Sequence, residues 1–466
     1  MPAYPQPEQR ELPPPPHWTK ALGVGVVVMG LAIGTGELIM WPHLVTKYGV
    51  HLIWLAALGI LAQYFINQEV ARLSIARGES FFTSSARLFP PLVFFWFIAA
   101  VLLYIWPGWA SAIGTTLREL MGFGSYIGWA LVTLLLVLIL TFTGKIAYVI
   151  LERTLKITVP LFFILLVTIS FFNLRPSHYQ KAFSGLLHFS IPPGMDMNIL
   201  LSAIVFAGAG GMLNLCISLW YRDKQFGMGT YVGRITNPIT GKPEAVSTSS
   251  YTFAITPKNM KHWKGWMNFV RIDQGIIFTL LGFVTLFLLS LNAHAVLGPK
   301  GLIPEGINVA VVQANIFGQE WGPIGFNVFL IMAFLMLFSV MWTVIDALTR
   351  MLTDILYTNS HTGPYTRFFS FCKSCSTGKL YYIIITAVCI IGAFLLPMKQ
   401  PLTLLTISAV LGGLTMAVYT PMLIVLTNTQ LPKPIRPSWF TNVVMILISL
   451  FFIFFSVRVI QQNIFS

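Results

Sequence analysis

The chain has 466 residues, 56% of them hydrophobic and only 9% charged, with a mean hydropathy of +0.76. Soluble domains carry about 25% charged residues, so a soluble globular fold is excluded. The net charge of +14 is spread over connecting segments rather than gathered on a soluble module, and no nucleic-acid partner is expected.

In chain order, residues 1–20 carry PPPP at 13–16 and read as a disordered cytoplasmic tail with no cleavable signal. Apolar runs long enough to cross a bilayer then recur at 21–46, 52–71, 91–112, 124–143, 148–173, 197–220, 273–296, 324–348, 380–397, 402–427 and 440–460. The chain therefore reads as an all-α polytopic membrane protein of about 11 transmembrane helices, one domain over 21–466 with the lipid bilayer as its partner. With the N-terminus in the cytoplasm, 22 of the 29 Lys and Arg residues fall on the inner side and seven on the outer. The positive-inside rule then gives an N-in, C-out orientation, in what is expected to be the plasma membrane.

The first span is interrupted by Gly34-Thr35-Gly36-Glu37, and the sixth by Gly208-Ala209-Gly210-Gly211. Five spans separate the starts of these two, so they enter the membrane from opposite sides. Gly-interrupted spans at matching places of two halves point to an inverted-repeat secondary transporter. Repeat one would cover 21–173, repeat two 197–427, and an extra helix 440–460. Helices 1 and 6 are expected to unwind, because unpaired backbone at membrane depth is tolerated only where it lines a cavity. Glycines elsewhere, such as Gly412-Gly413, read as packing contacts.

Ionisable residues in the spans are few, and each is a functional candidate by default. Glu37 is the foremost: it is expected to act as a cation ligand, a proton carrier or a cap on the second half-helix. Glu69 is expected to pair with Arg72, Asp346 with Arg350 four residues on, and Asp354 to lie in the cytoplasmic mouth. Asn214 faces either the cavity or a neighbouring helix. The loop 222–271, with KNMKHWKGW at 258–266, reads as a solvated connector. Of the four cysteines, Cys372 and Cys375 have CxxC spacing without a second pair, so a structural role is expected. No nucleophile–base pair emerges, and no enzyme activity is expected.

The run GLAIGTGELIMWPHLVTKYGVHLIW through QEVARLSIARGES resembles the first two spans of the natural resistance-associated macrophage protein (Nramp) family of divalent-metal transporters. GAGGMLNL is similar to that family's sixth-span GATVMPHN, and TPMLIVLTN with PSWFTNVVMILISLFFIF to its last two spans. The resemblance implies a LeuT-like 5+5 inverted repeat with a cation held at the two breaks. It matches Ala209 to the residue lending a carbonyl and Met212 to the metal-binding methionine.

The departures are informative. The family's Asp-Pro-Gly-Asn has become Gly34-Thr35-Gly36-Glu37, and its Pro-His has become Leu213-Asn214. The two span-three acids fall at Gly108 and Ser111, so proton coupling is in doubt. The tenth-span glutamine falls near Leu414 or Thr415. The expected site is Glu37 with Gly34, Thr35, Ala209, Met212 and Asn214. The expected function is secondary transport of a Mn-, Mg- or Fe-like divalent cation, with no cofactor besides that cargo, by a monomer. The alternative is a carrier of an amino acid or small organic amine, whose support is the likeness of Gly-Thr-Gly to the GSG break of amino-acid permeases.

Overall fold

The structure, a computed structural model, describes residues 4–16, 24–143, 147–236 and 246–465. Among these, ten helices are long and apolar enough to cross a membrane. They coincide with ten of the eleven expected runs. The remaining run, 197–220, is present as two short helices, Met197–Val205 and Leu213–Asp223. Its interruption follows from the sequence: Gly210 and Gly211 adopt φ of +76° and +56°, a left-handed conformation that glycine adopts without a steric penalty.

The first span differs from expectation. Helix Val24–Ala32 continues through a π-helical stretch, Ile33–Met40, into helix Trp41–Tyr48. The backbone widens instead of opening, and π-turns of this kind recur at functional sites. Pro42 has no N–H to offer the Leu38 carbonyl four residues back, and the Gln313 side chain donates to that carbonyl instead.

The seventh span behaves similarly. Thr256 caps helix Pro257–Ile272 by accepting from the Asn259 amide; a π-helical stretch Asp273–Leu281 and helix Gly282–Asn292 follow. The basic-aromatic run 258–266 thus lies on a helix that leads into the seventh span, not in an irregular connector; residues 237–245 of the same loop lie outside the described residues. The eighth span extends to His361 and kinks at Gly322.

The tail also departs from its expected disorder over residues 4–16. Glu8–Gln9 pairs in parallel with Tyr251–Thr252. Leu12 is buried, its amide donating to Asn259 Oδ1 at 3.3 Å, and Trp266 Nε1 donates to the Pro13 carbonyl at 2.8 Å. The Tyr4 hydroxyl donates to Asn359 at 2.6 Å, and burial raises its pKa above the usual tyrosine range, which keeps it a donor. The prolines pre-order this strand, lowering the entropy lost on docking.

Candidate functional site

The π-helical stretch of span one lies against three neighbours. A Cβ on Gly34 would fall 2.2 Å from Val340 Cγ2 of span eight, and one on Gly36 only 1.5 Å from the Phe206 carbonyl oxygen. Gly36 therefore lets the backbone of span one touch the end of Met197–Val205, so the two interrupted spans meet as the repeat argument requires. Thr35 belongs to the same stretch; its side chain lies outside the described residues.

Glu37 turns to a third direction, toward spans two and seven. A Cβ on Gly282 would meet Ile60 Cδ1 at 3.1 Å and Glu37 Oε1 at 4.0 Å. Glu37 is fully buried, and neither carboxylate oxygen has a hydrogen-bond partner. The neighbouring Thr285 hydroxyl is committed to the carbonyls of Leu281 and Gly282, at 3.1 and 2.9 Å. Burying an acid this way is costly; the Thr285 hydroxyl is the one neighbouring side chain that offsets part of it, and among the described residues no cationic side chain pairs with the carboxylate.

The sixth-span interruption is held by side chains that replace lost helix bonds. Gln63 accepts from the Gly210 amide and donates to the Val205 carbonyl, both at 2.9 Å. The Tyr104 hydroxyl donates to Gly210 O at 3.3 Å and accepts from the Leu213 amide at 3.0 Å. The Tyr419 hydroxyl donates to Gly211 O at 2.9 Å and accepts from Asn214 Nδ2 at 3.2 Å. Several backbone groups freed by the break are thus already used, a loss relative to the expectation that they would be open ligands. Ala209 and Met212 are buried within the break. Asn214 turns toward span ten, with its Oδ1 buried and unpartnered, so it and Glu37 are served by different neighbours.

The sequence does not single out Gln63, Tyr104 and Tyr419; Gln63 is one of three amides, with Asn67 and Gln68, in the run 52–71. Asp273 was also missed, because it stands at the edge of an apolar run, where interfacial charge is ordinary. Its Oδ2 accepts from the Gly25 amide at 2.9 Å.

The expected ion pairs are present: Arg72 with Glu69 at 2.9 Å and Arg350 with Asp346 at 2.6 Å. The second grows into a buried network, since Arg350 also bonds Asp223 and the Tyr381 hydroxyl donates to Asp346 at 2.5 Å. Asp354 is buried rather than in an open mouth, held by Arg222 and the Ser80 hydroxyl. Cys372 and Cys375 are free thiols. Among the described residues no three His, Cys, Asp or Glu side chains come together as a metal cluster. Gly108 packs on Leu405, where a Cβ would fall 2.9 Å from Cγ, and Ser111 is buried.

Three solved structures show the fold this chain shares. The chain is similar to the Eremococcus coleocola manganese transporter in complex with an aromatic bis-isothiourea substituted compound, at 14% identity and a TM-score of 0.65, covering 99% of this chain and 91% of that one. It is also similar to Mhp1, a nucleobase-cation-symport-1 family transporter, at 12% identity, TM-score 0.54, and 97% and 95% coverage. A third neighbour is MhsT in complex with L-phenylalanine, at 16% identity, TM-score 0.55, and 97% and 99% coverage. At these identities the likeness shows the fold, that of LeuT-type transporters. No curated protein matches the sequence. A sequence model described as natural resistance-associated macrophage protein-like matches residues 25–462, and the chain belongs to that family, Nramp.

Proposed function

We propose that this protein is a secondary transporter that moves a divalent metal cation across the plasma membrane, with Glu37 as the anionic ligand. The observation that carries this reading is the Glu37 carboxylate, buried at mid-span with both oxygens unpartnered, where a cation is the natural counter-charge. Membership of the Nramp family and fold likeness to a structure named a manganese transporter support it. Oxygen donors favour hard cations such as Mg²⁺ or Mn²⁺, and the Met212 thioether would extend the range toward softer ions. Gly34, Thr35, Ala209 and Asn214 complete the set through backbone or amide oxygens when the two interrupted spans part.

Transport runs without stoichiometric proton movement, since the family's span-three acids are replaced by Gly108 and Ser111 and packing at Gly108 leaves no room for a longer side chain. The chain works as a monomer, oriented N-in and C-out. An organic amine would also satisfy Glu37, but the carboxylate of an amino acid would be repelled by it at low dielectric, which makes that reading the weaker one.

Uptake into proteoliposomes, measured for Mn²⁺, Mg²⁺ and amino acids with and without an imposed pH gradient, tests the proposal. Saturable cation uptake that needs no gradient and moves no proton is expected. Amino-acid uptake without cation uptake would overturn it.

A further inference from the structure

Below Glu37, at the end of the bundle that the N-in orientation makes cytoplasmic, spans one, two, six and seven share a buried polar junction. Asp273 opens the π-helical stretch of span seven and is 2% exposed, while Asn67 of span two and Gln274 are fully buried. Asp273 Oδ2 accepts from three donors: the Gly25 amide at 2.9 Å, Gln274 Nε2 at 3.0 Å and the Tyr221 hydroxyl at 3.4 Å. Asn67 Nδ2 donates to Gln274 Oε1 at 3.1 Å. This chain of bonds fixes both amides, and it leaves two buried acceptors without a donor, Asp273 Oδ1 and Asn67 Oδ1.

We propose that Asp273 and Asn67 form a second cation subsite, a station on the inward path of the ion that Glu37 holds; the proposal rests on that reading of Glu37. One carboxylate and one amide oxygen, both lacking donors, are what a hard cation takes. Asp273 lies nine residues before Gly282, which adjoins Glu37, at the two ends of the π-helical stretch Asp273–Leu281. That spacing suits sequential occupation. Three donors already share the charge of Asp273 through Oδ2, so this carboxylate has less to offer an ion than Glu37 and the subsite is the weaker of the two, as release requires. Gly25 holds span one close: a Cβ there would fall 2.5 Å from both the Asp273 carbonyl oxygen and Oδ1. Movement of span one would uncover the carboxylate.

Calorimetric titration of the purified full chain with Mn²⁺ alone tests this. The wild type should bind two ions with unequal affinity. Asp273→Asn should lose the weaker event, its affinity falling more than about 10-fold, and keep the tighter one; Glu37→Gln should do the reverse. Asn67→Ala, which removes the second oxygen without touching the charge, should weaken the same event and stands in should Asp273→Asn fail to fold. A single event in the wild type, or two unchanged events in Asp273→Asn or Asn67→Ala, would overturn the subsite and leave Asp273 as a latch between spans one and seven. Two unchanged events in Glu37→Gln, with loss in Asp273→Asn, would instead overturn Glu37 as a ligand.

Discussion

Gly36→Ala is the sharpest test of how the two interrupted spans are joined. The added Cβ would sit 1.5 Å from Phe206 O, 2.5 Å from its carbonyl carbon and 3.3 Å from the Ala207 amide, whereas ordinary contact begins near 3.4 Å. Spans one and six must therefore part by about 2 Å at this point. Both partners are backbone, so no rotamer change can absorb the clash, and overpacking of this kind costs about 1–3 kcal/mol or more. At Gly282 the nearest neighbour is instead the flexible end of Ile60, 3.1 Å away, so Gly282→Ala should cost much less stability. The two variants would be compared by thermal unfolding in detergent and by cation uptake in proteoliposomes at equal reconstituted protein. Gly36→Ala should unfold several degrees lower and transport poorly, with Gly282→Ala near wild type in stability. A Gly36→Ala protein matching the wild type in both assays would refute the close approach of the interrupted spans.

Tyr104→Phe takes one partner each from the Leu213 amide and Gly210 O, which keep their bond to each other at 3.2 Å, and should lose about 0.5–1.5 kcal/mol of stability by denaturant titration; an unchanged midpoint would show that the hydroxyl does not hold the break. Arg350→Met strands Asp346 and Asp223 in a fully buried network and should cost about 3–5 kcal/mol, with Arg350→Lys falling between. Single cysteines placed across 246–255 should react with a membrane-impermeant thiol reagent only after the cytoplasmic face is opened; labelling from outside intact cells would reverse the orientation.

The span pattern was legible because hydropathy over about 20 residues is a strong one-dimensional signal, and the sixth-span interruption because four consecutive small residues cannot form a regular apolar helix face. The form of the first interruption was not. Whether Gly34 and Gly36 open a helix or merely widen it depends on how closely Val340 and Phe206 press on them, which is a tertiary fact. Glu37 was legible as a charge at mid-span; that both of its oxygens lack partners was not, since Thr285 and Gly282 come from a span some 250 residues away. Asp273 escaped because helix Pro257–Ile272 continues into span seven, placing inside the bundle a residue that begins an apolar run. The tail was misjudged for a related reason: proline-rich sequence disfavours helix and isolated order, yet it fits an extended strand once Tyr251–Thr252 and helix Pro257–Ile272 provide a surface.

The measurement closest to the central claim is Mn²⁺ and Mg²⁺ uptake by Glu37→Gln in proteoliposomes. Glutamine keeps the size and the hydrogen-bonding capacity and removes the charge. Burying a cation without its counter-charge is costly, so uptake should fall by more than about 10-fold, while thermal stability holds or rises because an unpaired buried carboxylate is gone. Wild-type uptake by a well-folded Glu37→Gln protein would contradict the account.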